Sequence, residues 1–306
     1  MSIWLAILAG LVLLVLGGES LVRGASALAR RWGVSPLMIG LVLVGFGTSL
    51  PELVTSVRAA MIGASGIAYG NIVGSNIANI LLIGGLAAML QAIPVGRAAL
   101  YRDLPVMMGV TAGFALLAAT IGMGRGAGMA ALALLVAYVA LVWRQERHHP
   151  DSADDIQTQT LPTAALMTVA GLAMIIIGGR WLVDGAVALA EQLDVPQSVI
   201  GLTIVAVGTS LPELVTSVIA ALRRQVDLAF GNIVGSNIYN ILAIGGVTAI
   251  AAPGQVPDRI VWTDNMVMLA ASALFAFAAI TATRVSRGEG AALLTCYGGY
   301  LLWQIV

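Results

Sequence analysis

The chain has 306 residues, of which 59% are hydrophobic and only 10% charged, with zero net charge and a mean hydropathy of +0.96. Soluble domains carry roughly 25% charged residues, so this composition marks an integral membrane protein. Zero net charge without like-charge runs excludes a nucleic-acid footprint, and a single cysteine with two histidines outside the apolar segments excludes a disulfide framework and any thiolate or imidazole metal site.

A helix needs about 20 apolar residues to cross the bilayer core. Ten such spans are expected, at roughly 3–29, 35–61, 66–90, 103–121, 126–144, 162–190, 197–222, 227–250, 264–283 and 288–305. The opening MSIWLAILAGLVLLVLGGES lacks the positive stretch of a signal peptide and reads as the first span. The second span carries GTSLPELVTSV from Gly47, and the third carries GNIVGSN from Gly70. A polar stretch from Arg144 to Gln159, RQERHHPDSADDIQTQ, then separates the fifth span from the sixth. Beyond it the seventh span repeats GTSLPELVTSV from Gly208, and the eighth repeats GNIVGSN from Gly231.

Residues 40–86 match 201–247 without a gap at 31 of 47 positions, at a fixed offset of 161. GGxxLVxGA also recurs, at Gly17 and Gly178, and Asp103 and Asp264 each open a later span. Five spans per half is an odd number, so the second half enters the membrane from the opposite side. The fold class expected is an all-α membrane protein of ten transmembrane helices in two inverted five-helix repeats, residues 1–143 and 162–306, joined by a cytoplasmic linker at 144–161. All fifteen basic residues are arginines, and ten of them fall in odd-numbered loops. The positive-inside rule puts those loops in the cytoplasm and both termini outside the cell (inner) membrane.

Ionisable residues within spans are functional candidates by default, because burial in lipid is costly. Glu19 with Arg23 and Arg180 with Asp184 are i,i+4 ion pairs and read as structural. Glu52 and Glu213 have no basic residue nearby on the helix that could neutralise them, so each must bind a proton or a cation. Thr48 and Ser49 precede Glu52 by four and three residues, and Thr209 and Ser210 stand in the same relation to Glu213, which puts the hydroxyls on the carboxylate's side of a helix. Pro51 and Pro212 should break or unwind each helix at GTS and free backbone carbonyls, tolerated at membrane depth only where they line a cavity or meet a ligand.

In the third and eighth spans, Asn71, Ser75 and Asn79 recur as Asn232, Ser236 and Asn240 in a stripe that can face the axis. Asn76 and Asn237, about 100° off that stripe, read as helix-to-helix hydrogen bonding. Carboxylates, hydroxyls and carbonyls without nitrogen or sulfur form a hard-oxygen cage that suits calcium, with sodium favouring the same donors. Two buried carboxylates also make protons natural competitors.

These paired motifs resemble the alpha-repeats of the cation/calcium exchanger superfamily, particularly its prokaryotic sodium/calcium exchangers, over essentially the whole chain. The resemblance implies that Glu52 and Glu213 are the central calcium ligands, completed by the backbone carbonyls of Thr48 and Thr209. It implies flanking sodium sites built from Ser49, Ser75, Ser210 and Ser236 with the carbonyls of Gly45 and Ala206, and Asn79 and Asn240 at the remaining polar positions. Family members can carry aspartate where Asn240 stands, so this cage has one negative charge fewer.

The function expected is secondary active antiport of calcium against sodium by alternating access, in the direction of calcium extrusion, with the bilayer and the two ions as partners, no cofactor, and a monomer sufficient for transport. A proton-driven calcium antiporter is the alternative. A channel would conduct without exchange stoichiometry, and an intramembrane hydrolase finds no nucleophile and base pair. The first and sixth spans, with Gly17, Gly18, Gly178 and Gly179, are expected to pack loosely as a pair and to move as the gate.

Overall fold

The computed structural model describes residues 2–146, 160–193 and 206–305, which are nearly all helical. In chain order the helices are α1 (Ile3–Trp32), α2 (Pro36–Thr48), α3 (Leu50–Met61), α4 (Ser65–Leu90), α5 (Ala99–Thr120), α6 (Arg125–Glu146) and α7 (Leu161–Gln192). They continue with α8 (Ala206–Thr209), α9 (Leu211–Leu222), α10 (Val226–Ala251), α11 (Ile260–Ala282) and α12 (Arg287–Ile305). Among the described residues, seven helices are long and apolar enough to cross a membrane, and α2 with α3 makes an eighth when counted as one span bent by 43°. Helix α12 covers the tenth expected span, and α8 with α9 covers the later part of the seventh. The first part of that seventh span, at 197–205, and most of the expected linker, at 147–159, lie outside the described residues.

Helices α1 and α7 run antiparallel along a seam of glycines. A Cβ on Gly10 would lie 2.8 Å from the Gly178 carbonyl, one on Gly17 2.9 Å from that of Gly171, and one on Gly24 2.8 Å from that of Ala164. Glycine every seventh residue lets the two backbones touch, as small residues do at membrane helix crossings. The expectation that these spans pack loosely as a pair is therefore corrected: backbone meets backbone along their length, and dispersion contacts hold them as a unit.

A second close crossing sets α2 on α10. Cβ atoms on Gly231 and Gly235 would lie 2.5 Å and 2.6 Å from the carbonyls of Leu37 and Leu41. It brings the end of α2 against the middle of α10, where the polar stripe lies.

The sequence repeat of 161 residues has a counterpart in how the loops pair. Strand β1 (Ile93–Pro94) pairs antiparallel with β2 (Arg284–Val285), and Met123 bridges to Gly254. Adding 161 to Ile93 gives Gly254, and adding it to Met123 gives Arg284, so the same clasp occurs twice. Each clasp joins loops of like parity, the third with the ninth and the fourth with the eighth, as a chain that alternates sides requires.

π-helical turns interrupt the long helices at Gly40–Val44, Ala99–Asp103, Asn79–Gly84, Asn240–Gly245 and Ile260–Asp264. Four of the five fall in pairs 161 residues apart. Such bulges re-aim the carbonyls of one turn and concentrate at functional sites; two of these begin at Asn79 and Asn240.

Candidate ion-binding site

The two GTSLPE strings break their helices at a single residue rather than by unwinding. Ser49 (φ −81°, ψ 3°) and Ser210 (φ −91°, ψ 10°) leave helical geometry, and α3 and α9 begin on the next residue with Pro51 and Pro212 in the first turn. A proline tolerates that position because its missing N–H would find no partner there. The break aims the serine hydroxyl away from its own helix and towards the other repeat.

The serines are exchanged between repeats. Ser49 donates its hydroxyl to Glu213 Oε1 at 3.0 Å, and Ser210 donates to Glu52 Oε1 at 3.4 Å. Both glutamates are 1% exposed, and in each the second oxygen, Oε2, has no hydrogen-bond partner among the described residues. Among those residues neither glutamate forms an ion pair, and no group of three or more His, Cys, Asp or Glu side chains assembles anywhere. Leaving a carboxylate oxygen buried and unbonded is costly, so each glutamate calls for a proton or a cation.

The rest of the shell follows the same pattern. Ser210 also meets Ser75 Oγ at 3.4 Å, and Ser236 donates to the Gly45 carbonyl at 3.5 Å, which Thr48 Oγ1 shares at 3.3 Å. Asn79 is buried with both amide atoms unpartnered among the described residues, and Asn240 is buried with its Oδ1 unpartnered. Thr209 closes α8 one residue before the break, and Ala206 opens that helix. Direct contacts thus gather Glu52, Glu213, Ser49, Ser210 and Ser75, with Thr48, Gly45 and Ser236 alongside; hydrogen bonds do not tie Asn79 or Asn240 to the glutamates.

Asn71 and Asn232 do something the stripe alone did not reveal. Asn71 Nδ2 donates to the Glu52 carbonyl at 3.3 Å and to Ser56 Oγ at 2.9 Å, and Asn232 Nδ2 donates to the Glu213 carbonyl at 3.2 Å and to Ser217 Oγ at 2.9 Å. They clamp the glutamate-bearing helices from behind, and Thr48 Oγ1 reaches Asn232 Oδ1 at 3.2 Å to tie the two repeats together. Ser56 and Ser217 were legible in principle, since each lies four residues after its glutamate inside the repeated string.

A cavity of about 550 Å³ reaches this shell, lined by Asn71, Ser75 and Thr209 together with Thr55, Asp264 and Tyr300. The predicted ion pairs of α1 and α7 also form: Arg23 bonds Glu19, which Arg223 holds at 2.7 Å, and Arg180 lies 3.8 Å from Asp184 at the surface.

The described helices thus bury two carboxylates without an ion-pair partner among the described residues, between helices broken at Ser49 and Ser210. The chain matches the family model described as sodium/calcium exchanger protein over residues 2–145 and 163–306. It is 39% identical over 306 residues to a putative antiporter, CaxA, of Alkalimonas amylolytica, covering 96% of each chain. It is 38% identical to the inner membrane protein YrbG of Escherichia coli, covering 97% of this chain and 94% of that one. A solved structure of the sodium-calcium exchanger NCX_Mj, soaked with 2.5 mM Na+ and 0.1 mM Ca2+, superposes with a TM-score of 0.86 at 31% identity and 97% coverage of both chains. The chain belongs to the sodium/calcium exchanger protein family, and it is a multi-pass membrane antiporter of the cation/calcium class.

Proposed function

We propose that this protein extrudes calcium across the cell (inner) membrane in exchange for sodium, by alternating access to one central cage. The observation that carries the reading is the pair of buried glutamates, each with one oxygen held by a serine of the opposite repeat and the other left for an ion. One divalent ion or two monovalent ions neutralise that pair, so calcium and sodium compete for the same charge. An empty cage keeps two uncompensated carboxylates in a low-dielectric interior, which opposes passage through an occluded state and couples the two fluxes.

In this proposal Glu52 and Glu213 bind calcium with the carbonyls of Thr48 and Thr209. Ser49, Ser75, Ser210 and Ser236, with the carbonyls of Gly45 and Ala206, supply the flanking sodium sites, and Asn79 and Asn240 complete the shell. Ten spans in two inverted halves, outward termini and a cytoplasmic linker belong to this reading, supported by the offset of 161, the paired loop clasps and the arginine distribution. The likeness to YrbG supports the inner membrane. The cavity that reaches Asn71 and Ser75 includes Thr55 and Gly66, beside an even-numbered loop, and supports access from outside. A monomer contains every proposed ligand.

The test is calcium uptake into proteoliposomes under an outward sodium gradient or an outward proton gradient. Sodium-dependent uptake that Glu52→Gln and Glu213→Gln each abolish is expected. Proton-driven uptake without sodium dependence would replace sodium with protons, and near-normal transport by both variants would remove the glutamates from the cage.

A further inference from the structure

We propose that Asn76 is a positioning residue for this cage: it fixes the amide of Asn240 so that the oxygen, and not the NH2, faces the ions. The inference rests on the cage reading above. Asn76 is fully buried and lies off the polar stripe, facing the partner repeat. Its Nδ2 donates to the backbone carbonyl of Asn237 at 3.4 Å and lies 3.6 Å from the sulfur of Met268. A carbonyl oxygen can only accept, so the polarity of the Asn76 amide is set by the main chain and its Oδ1 must point the other way. That Oδ1 accepts from Asn240 Nδ2 at 3.0 Å. The NH2 of Asn240 is thereby turned away, and its Oδ1 is the atom left buried without a partner.

The chain of donors, from Asn240 to Asn76 to the Asn237 carbonyl, resolves a difficulty specific to an amide. A carboxylate at this position would present oxygen in either orientation, whereas an asparagine presents either a dipole that binds a cation or one that repels it. The second half does not copy the device: Asn237, the counterpart of Asn76, donates to the Ile233 carbonyl of its own helix at 2.8 Å, and Asn79 has no partner among the described residues. Orientation is thus imposed on one of the two cage amides.

A double-mutant cycle in proteoliposomes tests this, with Asn76→Ala, Asn240→Asp and both together, reading KM and Vmax for calcium and for sodium beside the melting temperature. Asn76→Ala should raise the KM for calcium or for sodium about tenfold, as expected for a misdirected dipole beside a charge, and by less than about twofold in the Asn240→Asp background. The lost bond to Asn237 is common to both backgrounds, so a merely structural role would raise KM equally in the two, and that result overturns the proposal. So does an unchanged KM in Asn76→Ala while Glu52→Gln still abolishes exchange, which leaves the cage standing. Exchange that survives Glu52→Gln and is indifferent to Asn240→Asp overturns the cage reading and this inference together. Should Asn76→Ala fail to fold, Asn76→Leu fills the volume without hydrogen bonding and is read in the same cycle.

Discussion

Asn71 grips Ser56 at 2.9 Å and Asn232 grips Ser217 at 2.9 Å, yet Asp103 and Asp264, also 161 residues apart, keep different company. Asp103 is buried between Arg102 at 2.7 Å and the Tyr138 hydroxyl at 2.9 Å. Arg102 reaches on to Glu146 at 2.9 Å, and Glu146 accepts from Ser35, which caps α2 through the Met38 amide. Among the described residues Asp264 takes its side-chain hydrogen bonds from neutral donors, Tyr300 at 3.2 Å and Gln304 at 3.0 Å, and Thr263 stands where the first half has Arg102. Contacts around the glutamates are duplicated, in keeping with the proposal that both half-sites serve one cage. Contacts at the helix ends are free to differ, and in the first half they pin one end of α2 through the ion pairs of Arg102 with Asp103 and Glu146.

The comparison can be broken most severely at Arg102. Arg102→Met leaves Asp103 buried without its cation, so the protein should lose about 3–5 kcal/mol of stability, read from unfolding in detergent. Thr263→Met at the equivalent place should cost far less, and equal losses would mean that the ion pairs contribute nothing. A smaller effect tests the likeness of the half-sites. Ser49→Ala and Ser210→Ala each remove one hydroxyl from the opposite glutamate, and each should weaken calcium affinity by about tenfold, a typical loss for one hydrogen bond to a charged group. Calcium titration that finds one variant silent would show that the cage is not built from two equal halves.

The smallest effect concerns backbone conformation. Gly63 and Gly122 adopt φ of +81° and +72°, but their counterparts are Arg224 at +58° and Thr283 at +49°. Left-handed backbone costs L-residues roughly 1–2 kcal/mol, partly offset by the greater entropy that glycine loses on folding. Arg224→Gly and Thr283→Gly should therefore each stabilise by about 0.5–1 kcal/mol. The reverse change, Gly122→Thr, should destabilise, since φ is +72° there, a conformation costly for a side-chain-bearing residue. A lower melting temperature in both glycine variants would show that side-chain contacts at these turns outweigh the strain.

The sequence by itself determined the membrane class, the repeat with its offset of 161, the two unneutralised glutamates and the proline breaks, because each is a local pattern of composition or spacing. It marked Arg102 as a loop charge, whereas the structure buries it, since only packing decides which loop arginine finds two carboxylates. It gave no sign of the π turns that begin at Asn79 and Asn240. The exchange of serines between repeats, the tight α1–α7 seam and the part played by Asn76 were likewise decided by tertiary structure. Each joins residues well over a hundred positions apart, and a hydrogen bond at that separation is fixed only when the fold brings the two helices to one depth in the membrane.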